Sequence, residues 1–186
     1  MNKKLEEQGW YLTEDGLKQC IELTGQKDPS IQQIVSTALN QDLRQFGEKI
    51  LPENINSGQV KSIDGPIVLQ IQKIKNVSAP TNHQDSQGAP RMLKLNLTDG
   101  STHCVGVEFQ SIPFLKMSII PGSKICLIGK NILVSHGVMF FDEKNVKLLG
   151  GEVAKLKEKW GASQSLKKRF VSVCVISGRI KNFILS

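Results

Sequence analysis

The spacing of apolar residues changes once along the 186-residue chain, and this change constrains the fold more than any other feature. Within residues 31–39 the apolar side chains recur every three or four positions, which is the spacing of an amphipathic helix. Beyond residue 66, Ile67, Leu69 and Ile71 occupy every second position, which is the spacing of a half-buried strand. Residues 51–58, rich in Pro, Asn, Ser and Gly, lie between the two patterns. The sequence therefore predicts an α+β chain in which helices precede strands.

Three short helices are predicted before the linker, as a subdomain covering residues 1–58. Thr13 is a capping residue for the first helix, which ends near Gly25. Asp28-Pro29-Ser30 begins the second helix, and the third runs from Asp42 to Phe46. Helices this short bury little surface alone, so we expect them to pack on each other and on the β part.

Short alternating segments after the linker predict a small barrel. Five strands are expected within roughly 90 residues, with Gly at the bends, and Gly151 to Trp160 is expected to form a closing helix. This pattern favours an oligonucleotide/oligosaccharide-binding (OB) fold over residues 59–162, followed by a basic and apolar tail at 163–186 that is expected to be unstructured. The predicted architecture is a three-helix subdomain packed on a five-stranded OB-fold barrel with a C-terminal helix.

One connection is too long for a minimal barrel. Residues 78–90, between the first two predicted strands, are polar and contain Pro80 and Pro90. Hairpin loops usually have two to five residues, so this segment is either a disordered connection or a functional element. The residues alone favour neither interpretation.

No catalytic constellation is found in the sequence. His83, His103 and His136 have no metal-binding spacing, and Gly122, Gly129 and Lys130 do not match a phosphate-binding loop. We therefore predict that the chain is not an enzyme and needs no cofactor or metal. The four cysteines lie far apart, which favours a reducing compartment. No run of about 18 apolar residues occurs, and the first residues lack the apolar core of a signal peptide. We therefore expect an intracellular protein with no membrane contact.

The net charge of +7 is unevenly distributed. Residues 1–62 carry −2, residues 63–149 carry +3 and residues 150–186 carry +6, so the predicted barrel is only mildly basic. Aromatic residues make up only 5% of the chain. Gln70, Gln72, Lys73, Lys94 and Asn96 are expected on the polar faces of the first strands. A protein-binding module is favoured, and a single-strand nucleic-acid-binding barrel remains the alternative.

An ordered series of motifs resembles the N-terminal region of the Tudor domain-containing protein 3 family. The motifs include Gly9-Trp10-Tyr11-Leu12, Leu51-Pro52-Glu53-Asn54, Thr98-Asp99-Gly100 and Leu149-Gly150-Gly151. Together they cover about residues 9–160. The related RecQ-mediated genome instability protein 1 matches the same motifs less closely.

The resemblance implies a non-catalytic partner of topoisomerase III beta, a type IA enzyme that acts on DNA and RNA. In that family the barrel and its inserted loop dock on the topoisomerase, so contact with nucleic acid is expected to be mainly indirect, in the nucleus and cytoplasm. Two family contact positions fall on Val107 and Val138, and the family has a larger aromatic residue at the second, which implies weaker or repacked docking. The loop residues expected to take part are Ala79, Pro80, Asn82, His83, Gln84, Asp85, Ala89 and Pro90.

The resemblance ends near residue 160. The family's ubiquitin-associated domain and methylarginine-reading Tudor domain have no counterpart in the 186 residues, and the tail matches no family pattern. The weaker similarity to RecQ-mediated genome instability protein 1 leaves a further alternative, in which the chain is a subunit of a helicase and topoisomerase III alpha assembly.

Overall fold

The computed structural model describes residues 2–80, 84 and 86–166, and these form helices packed on a curved sheet. The predicted α+β class is therefore confirmed. The sheet has eight strands in the order β1-β6-β7-β4-β3-β2-β5-β8. The strands are Ser62–Ile63 (β1), Ile67–Asn76 (β2), Leu93–Thr98 (β3), His103–Glu108 (β4), Lys124–Leu127 (β5), Ile132–Ser135 (β6), Val138–Phe141 (β7) and Val146–Gly150 (β8).

Four helices precede the sheet, one more than predicted. They are Asn2–Glu6 (α1), Glu14–Thr24 (α2), Ile31–Leu39 (α3) and Leu43–Phe46 (α4). Thr13 caps α2, and Ser30 caps α3 in a reciprocal capping box with Gln33, as the capping residue types predict. The sequence prediction missed α1 because five residues with one buried side chain, Leu5, show no helical repeat.

The prediction of five strands was too low because short and interrupted strands give no alternating pattern. β1 has two residues. The chain between Lys124 and Ser135 breaks into β5 and β6 at a bend where Gly129 and Asn131 have φ values of 88° and 55°. β5 pairs with β2, and β6 pairs with β7. Since β7 also runs parallel to β4, this bent segment closes the sheet into a barrel.

Side chains that alternate inward along every strand fill the barrel. Leu69 and Ile71 of β2, Leu95 of β3 and Phe141 of β7 are fully buried in one continuous apolar cluster. Gly106 of β4 leaves room for the Phe141 ring, since a Cβ at this position would lie 2.1 Å from its Cε2 atom. The interior is therefore a packed core.

The helices cover one half of the barrel's outer face. Val68 of β2 and Cys126 of β5 point outward into a second apolar cluster formed with the helices. Gln70, predicted on an exposed polar face, is instead fully buried in this interface. Its Oε1 accepts a hydrogen bond from Leu43 N at 2.9 Å and its Nε2 donates to Asp42 Oδ1 at 2.9 Å. The prediction was wrong because α4 covers this part of the strand.

A buried lysine joins the same interface. Lys124 of β5 has no exposed surface, and its Nζ donates to the carbonyl oxygens of Leu39 at 2.8 Å and Gln41 at 2.5 Å. Burial lowers the pKa of this amine to about 8, although the nearby Asp42 carboxylate opposes the change. Lys124 therefore holds the carboxyl end of α3 against the barrel.

A last helix, α5, covers residues 154–166 and differs from the predicted Gly151 to Trp160. Gly150 and Gly151 have φ values of 83° and 92°, and a Cβ at Gly151 would lie 2.1 Å from the Leu39 carbonyl oxygen. This close approach delays the start of the helix by three residues. The interval predicted as a tail begins inside α5, and residues 167–186 lie outside the described residues. Among the helices that the structure describes, none is both long and apolar enough to cross a bilayer.

Candidate protein-interaction surface

The other half of the barrel's outer face is not covered by the helices and forms two rows of side chains. Cross-strand pairing sets the order of each row, because opposite residues on adjacent strands point to the same face. The first row is Lys73, Asn96, Val105, Val138 and Ser135. The second row begins Lys75, Lys94, Val107 and Phe140. Continuing the β6–β7 register places Leu133 opposite Phe140, at the end of the second row.

An apolar patch occupies the β4, β7 and β6 side of these rows. We define the apolar patch as Val105, Val107, Phe109, Leu133, Val138 and Phe140. Phe109 is 67% exposed and Leu133 is 55% exposed, which is unusual for large apolar side chains. The Phe109 and Phe140 rings meet edge to face with their centroids 6.1 Å apart. The other four members are half-buried, and a contiguous apolar patch that reaches the surface in this way is typical of protein-interaction sites.

The structure brings the two predicted barrel contacts, Val107 and Val138, together on this patch. Val138 lies opposite Val105, and Val107 is the next outward residue along β4. The sequence prediction of contacts did not include Phe109, Phe140 and Leu133. A signal was present for the two aromatic residues, since each lies two positions beyond a predicted valine and therefore on the same face.

A single buried side chain anchors the long loop at the end of the barrel. Asn76, the last residue of β2, has no exposed surface. Its Nδ2 points at the carbonyl oxygens of Ser86, Gly88 and Pro90 at 3.2, 3.3 and 3.0 Å. Its Oδ1 accepts hydrogen bonds from Ser78 N at 3.2 Å and Met92 N at 3.1 Å. Both ends of the loop are therefore tied to one residue.

An ion pair fixes the far end of the loop beside the patch. Arg91 donates to Glu108 through Nε at 2.7 Å and through a terminal nitrogen at 2.8 Å. Glu108 also accepts hydrogen bonds from Leu93 N and Ile112 N. Because Lys94 lies opposite Val107, the same register places Met92 opposite Phe109, and both are exposed. The loop therefore leaves the barrel next to the apolar patch.

Five of the predicted loop residues fall within the described parts of the chain. Pro80, Ala89 and Pro90 are exposed, and Ala79 and Gln84 are half-buried. The Gln84 carbonyl accepts a hydrogen bond from Asn76 N at 2.7 Å. Asn82, His83 and Asp85 lie outside the described residues. Of these five, Pro90 directly precedes Arg91, whose ion pair with Glu108 holds this end of the loop beside the patch.

The open face is suited to binding by burial of surface. Within the described ranges, no three His, Cys, Asp or Glu side chains are grouped so as to hold a metal ion. Cys20, Cys104 and Cys126 are buried free thiols. Burial, with the Asp99 charge, raises the pKa of the Cys104 thiol to about 12, so this sulfur is a poor nucleophile at neutral pH. The large exposed apolar side chains are the feature that suits this face to binding.

The closed barrel with a parallel β4–β7 pair and a long loop after its first long strand defines an OB-fold domain. Residues 81–164 match the family described as the RMI1 N-terminal OB-fold domain. The chain is 41% identical over 168 residues to Tudor domain-containing protein 3 of Danio rerio and 47% identical over 147 residues to that of Xenopus tropicalis. It is 36% identical over 150 residues to RecQ-mediated genome instability protein 1 of Mus musculus. The resemblance expected from the motifs is thus confirmed.

These alignments cover much of this chain and little of each relative. They include 90%, 79% and 68% of the chain, in the order given above. The matched segments are 23%, 21% and 24% of the relatives' own lengths. The chain therefore corresponds to less than a quarter of each of these three proteins.

Proposed function

We propose that the chain is a non-catalytic scaffold module that binds topoisomerase III beta through the apolar patch and the inserted loop. The observation that carries the proposal is the adjacency of these two elements on the half of the barrel that the helices leave open. The similarity to Tudor domain-containing protein 3 supports the choice of partner. We propose that the module acts in the nucleus and cytoplasm, where such an enzyme meets DNA and RNA.

The composition of the patch supports binding strong enough to form a complex. Val138 offers less area than the aromatic residue expected at this position from the family resemblance. Phe140 and Phe109 lie on the same face and supply aromatic area close to it. Burying one such ring contributes about 2 kcal/mol, so the loss at Val138 is offset within the same patch.

The loop gives the module a way to influence its partner. A loop that contacts one conformation of the enzyme better than another shifts the balance between the two. Asn76 and the Arg91–Glu108 pair fix where the loop begins and ends, so the loop is presented in one direction. The scaffold therefore has one surface for affinity and one element for regulation.

The similarity to RecQ-mediated genome instability protein 1 favours a second candidate partner, topoisomerase III alpha in a helicase assembly. A pull-down of the full 186-residue chain with each purified topoisomerase separates the two candidates. Retention of topoisomerase III beta with little of the alpha enzyme is expected. Preferential retention of the alpha enzyme would support the second candidate, and retention of neither would overturn both.

Variants of the surface test the site itself. Val107→Asp places a charge in the middle of the patch and is expected to reduce retention at least tenfold, because an unpaired carboxylate would be buried on docking. Replacing residues 79–85 with a short Gly-Ser segment is expected to lower it further. Leu23→Asp is the matched control, since Leu23 is 59% exposed on α2, away from the patch. Unchanged retention by the combined Val107 and loop variant would reject this surface as the binding site.

A further inference from the structure

The end of the open face opposite the apolar patch carries three lysines and no acidic residue. Lys73 and Lys75 lie on β2 and Lys94 on β3, and all three belong to the two outward rows. The remaining positions of the rows, from Asn96 to Leu133, are neutral. We call Lys73, Lys75 and Lys94 the lysine strip.

Two members of the strip face each other directly. Lys75 and Lys94 are cross-strand partners, an arrangement that destabilises a sheet because like charges lie side by side. Among the residues that the structure describes, no carboxylate lies within 4.0 Å of any of the three amines. Asn96, between Lys73 and Val105 in the first row, is exposed and adds an uncharged hydrogen-bonding side chain. The strip is therefore a concentrated positive charge that the fold leaves unneutralised in this part of the chain.

We propose that the lysine strip is a contact site for the phosphate backbone of single-stranded nucleic acid. Three amines on adjacent strands match a short run of phosphates, and strands of an OB barrel flanked by the loop after the first strand form a general surface for oligonucleotides. The loop after β2 follows directly on its anchor, Asn76, which is the residue after Lys75. The site is separate from the docking patch, so it does not depend on the proposed partner.

A single strand suits this surface better than a duplex. The strip is two strands wide, about 5 Å, and bends with the barrel, so it follows a flexible backbone. The exposed Phe109 ring and the half-buried Phe140 ring lie farther along the same face and provide stacking positions for unpaired bases when no protein covers the patch. The contacts read no base, so binding is expected to be independent of sequence.

Fluorescence anisotropy with labelled oligo(dT) and oligo(U) tests the proposal on the full chain. Each phosphate neutralised on a single strand adds about 0.7 to the slope of log affinity against log salt, so three lysines contribute about 2. The triple variant Lys73→Ala, Lys75→Ala, Lys94→Ala is expected to lose this part of the slope and roughly tenfold or more in affinity at 50 mM salt. A matched triple variant at the exposed Lys27, Lys130 and Lys144 removes the same charge elsewhere and is expected to bind almost normally.

Three outcomes would overturn the assignment. The first is equal loss of affinity in the two triple variants, which would attribute binding to net charge. The second is equal binding of a duplex of the same length. The third is competition by polyglutamate as effective as by the oligonucleotide, which would define a general site for acidic proteins. Retention of topoisomerase III beta by the lysine variant, measured in parallel, keeps this result distinct from the docking proposal.

Discussion

Arg91 and Glu108 form a two-point ion pair that joins the end of the inserted loop to the last residue of β4. The guanidinium also donates to the carbonyl oxygens of Ile112 and Leu115, at 3.1 and 2.9 Å. The Glu108 side chain is only 1% exposed. Strand β4, the loop and the segment after β4 therefore meet at one charged pair shielded from water.

Breaking this pair from one side is expected to be costly. Arg91→Met leaves the Glu108 carboxylate buried without its partner and is expected to lower the free energy of unfolding by about 3 to 5 kcal/mol. Urea denaturation measures this change. Lys18→Met is the control, because the Lys18–Asp15 pair is exposed and should contribute less than about 1 kcal/mol. Similar losses in the two variants would contradict the role given to Arg91.

Asn76→Asp tests the anchor of the loop without changing the size of the side chain. The carboxylate cannot donate to the three carbonyl oxygens that Nδ2 faces, so a loss of about 1 to 3 kcal/mol is expected. Amide hydrogen exchange should become faster within residues 86–89, where the loop loses its bonds to Nδ2, and change less at Ser78 and Met92, whose acceptor oxygen is kept. Asn96→Asp, at an exposed position, is expected to change stability by less than about 0.5 kcal/mol. Unchanged exchange in the Asn76 variant would show that other contacts hold the loop.

Because the pKa of Lys124 is lowered, we expect the free energy of unfolding to rise with pH above 8. Burial lowers its pKa from 10.5 to about 8, so between these values the unfolded chain binds one proton more than the folded chain. The free energy of unfolding, compared with Lys124→Met, is expected to increase by about 3 kcal/mol over this range. Comparison with the variant is needed because the buried thiols, which both proteins contain, change stability in the opposite direction. A pH-independent difference would mean that the amine is not desolvated.

Because the pKa of Asp42 is lowered, we expect the free energy of unfolding to fall in acid. Burial acts to raise the pKa of this carboxyl, but hydrogen bonds from Arg44 and Gln70 outweigh it and lower the pKa from 3.8 to about 2. The stabilisation is complete above pH 4 and is lost as the pH falls to 2, because the unfolded state takes up the proton first. Asp42→Asn should remove about 2 kcal/mol of this dependence, measured by denaturation between pH 2 and 5. An identical acid profile in the variant would contradict the assignment.

Gly106→Ala tests the packing beneath the apolar patch. The added Cβ would lie 2.1 Å from the Phe141 ring, so the ring must move and a loss of about 1 to 3 kcal/mol is expected. Gly161→Ala provides the opposite case, since nothing lies within 4 Å of its Cβ position in helix α5. That change should stabilise the protein by about 1 kcal/mol. Thermal denaturation of both variants checks that the first change lowers the melting temperature and the second raises it.

The features predicted correctly from sequence are those that depend on neighbouring residues. Thr13 and Ser30 mark helix starts because a cap acts within one turn, and the alternation of Ile67, Leu69 and Ile71 indicates a strand because its period is local. The burial of Gln70 and Lys124 was not predictable, because it depends on the packing of helices over the barrel, and the bonded helix residues lie 27 and 85 positions away along the chain. A polar residue in an alternating strand is the same in sequence whether water or a helix covers it.

In the candidate site, too, the features that depend on contacts between distant residues could not be predicted from the sequence. Val107 and Val138 were named from a family resemblance, and only the parallel pairing of β4 with β7 places them on one patch, with Val138 opposite Val105. The lysine strip depends on the β-bulge between Ile71 and Lys73, which sets the partners of the last residues of β2. Single-sequence patterns contain no information on such pairings across the sheet.

The way in which Asn76 holds the loop has a consequence for how the module diversifies. Within the described part of the loop, every hydrogen bond from this residue ends on a main-chain atom, from Ser78 N to the Pro90 carbonyl oxygen. Any amino acid that permits the same backbone path therefore satisfies the anchor, so side-chain changes at Ala79, Pro80 and Gln84 are expected to leave it intact. Exchanging these side chains would thus change the chemistry that the loop presents, while the anchor and the barrel fold as before.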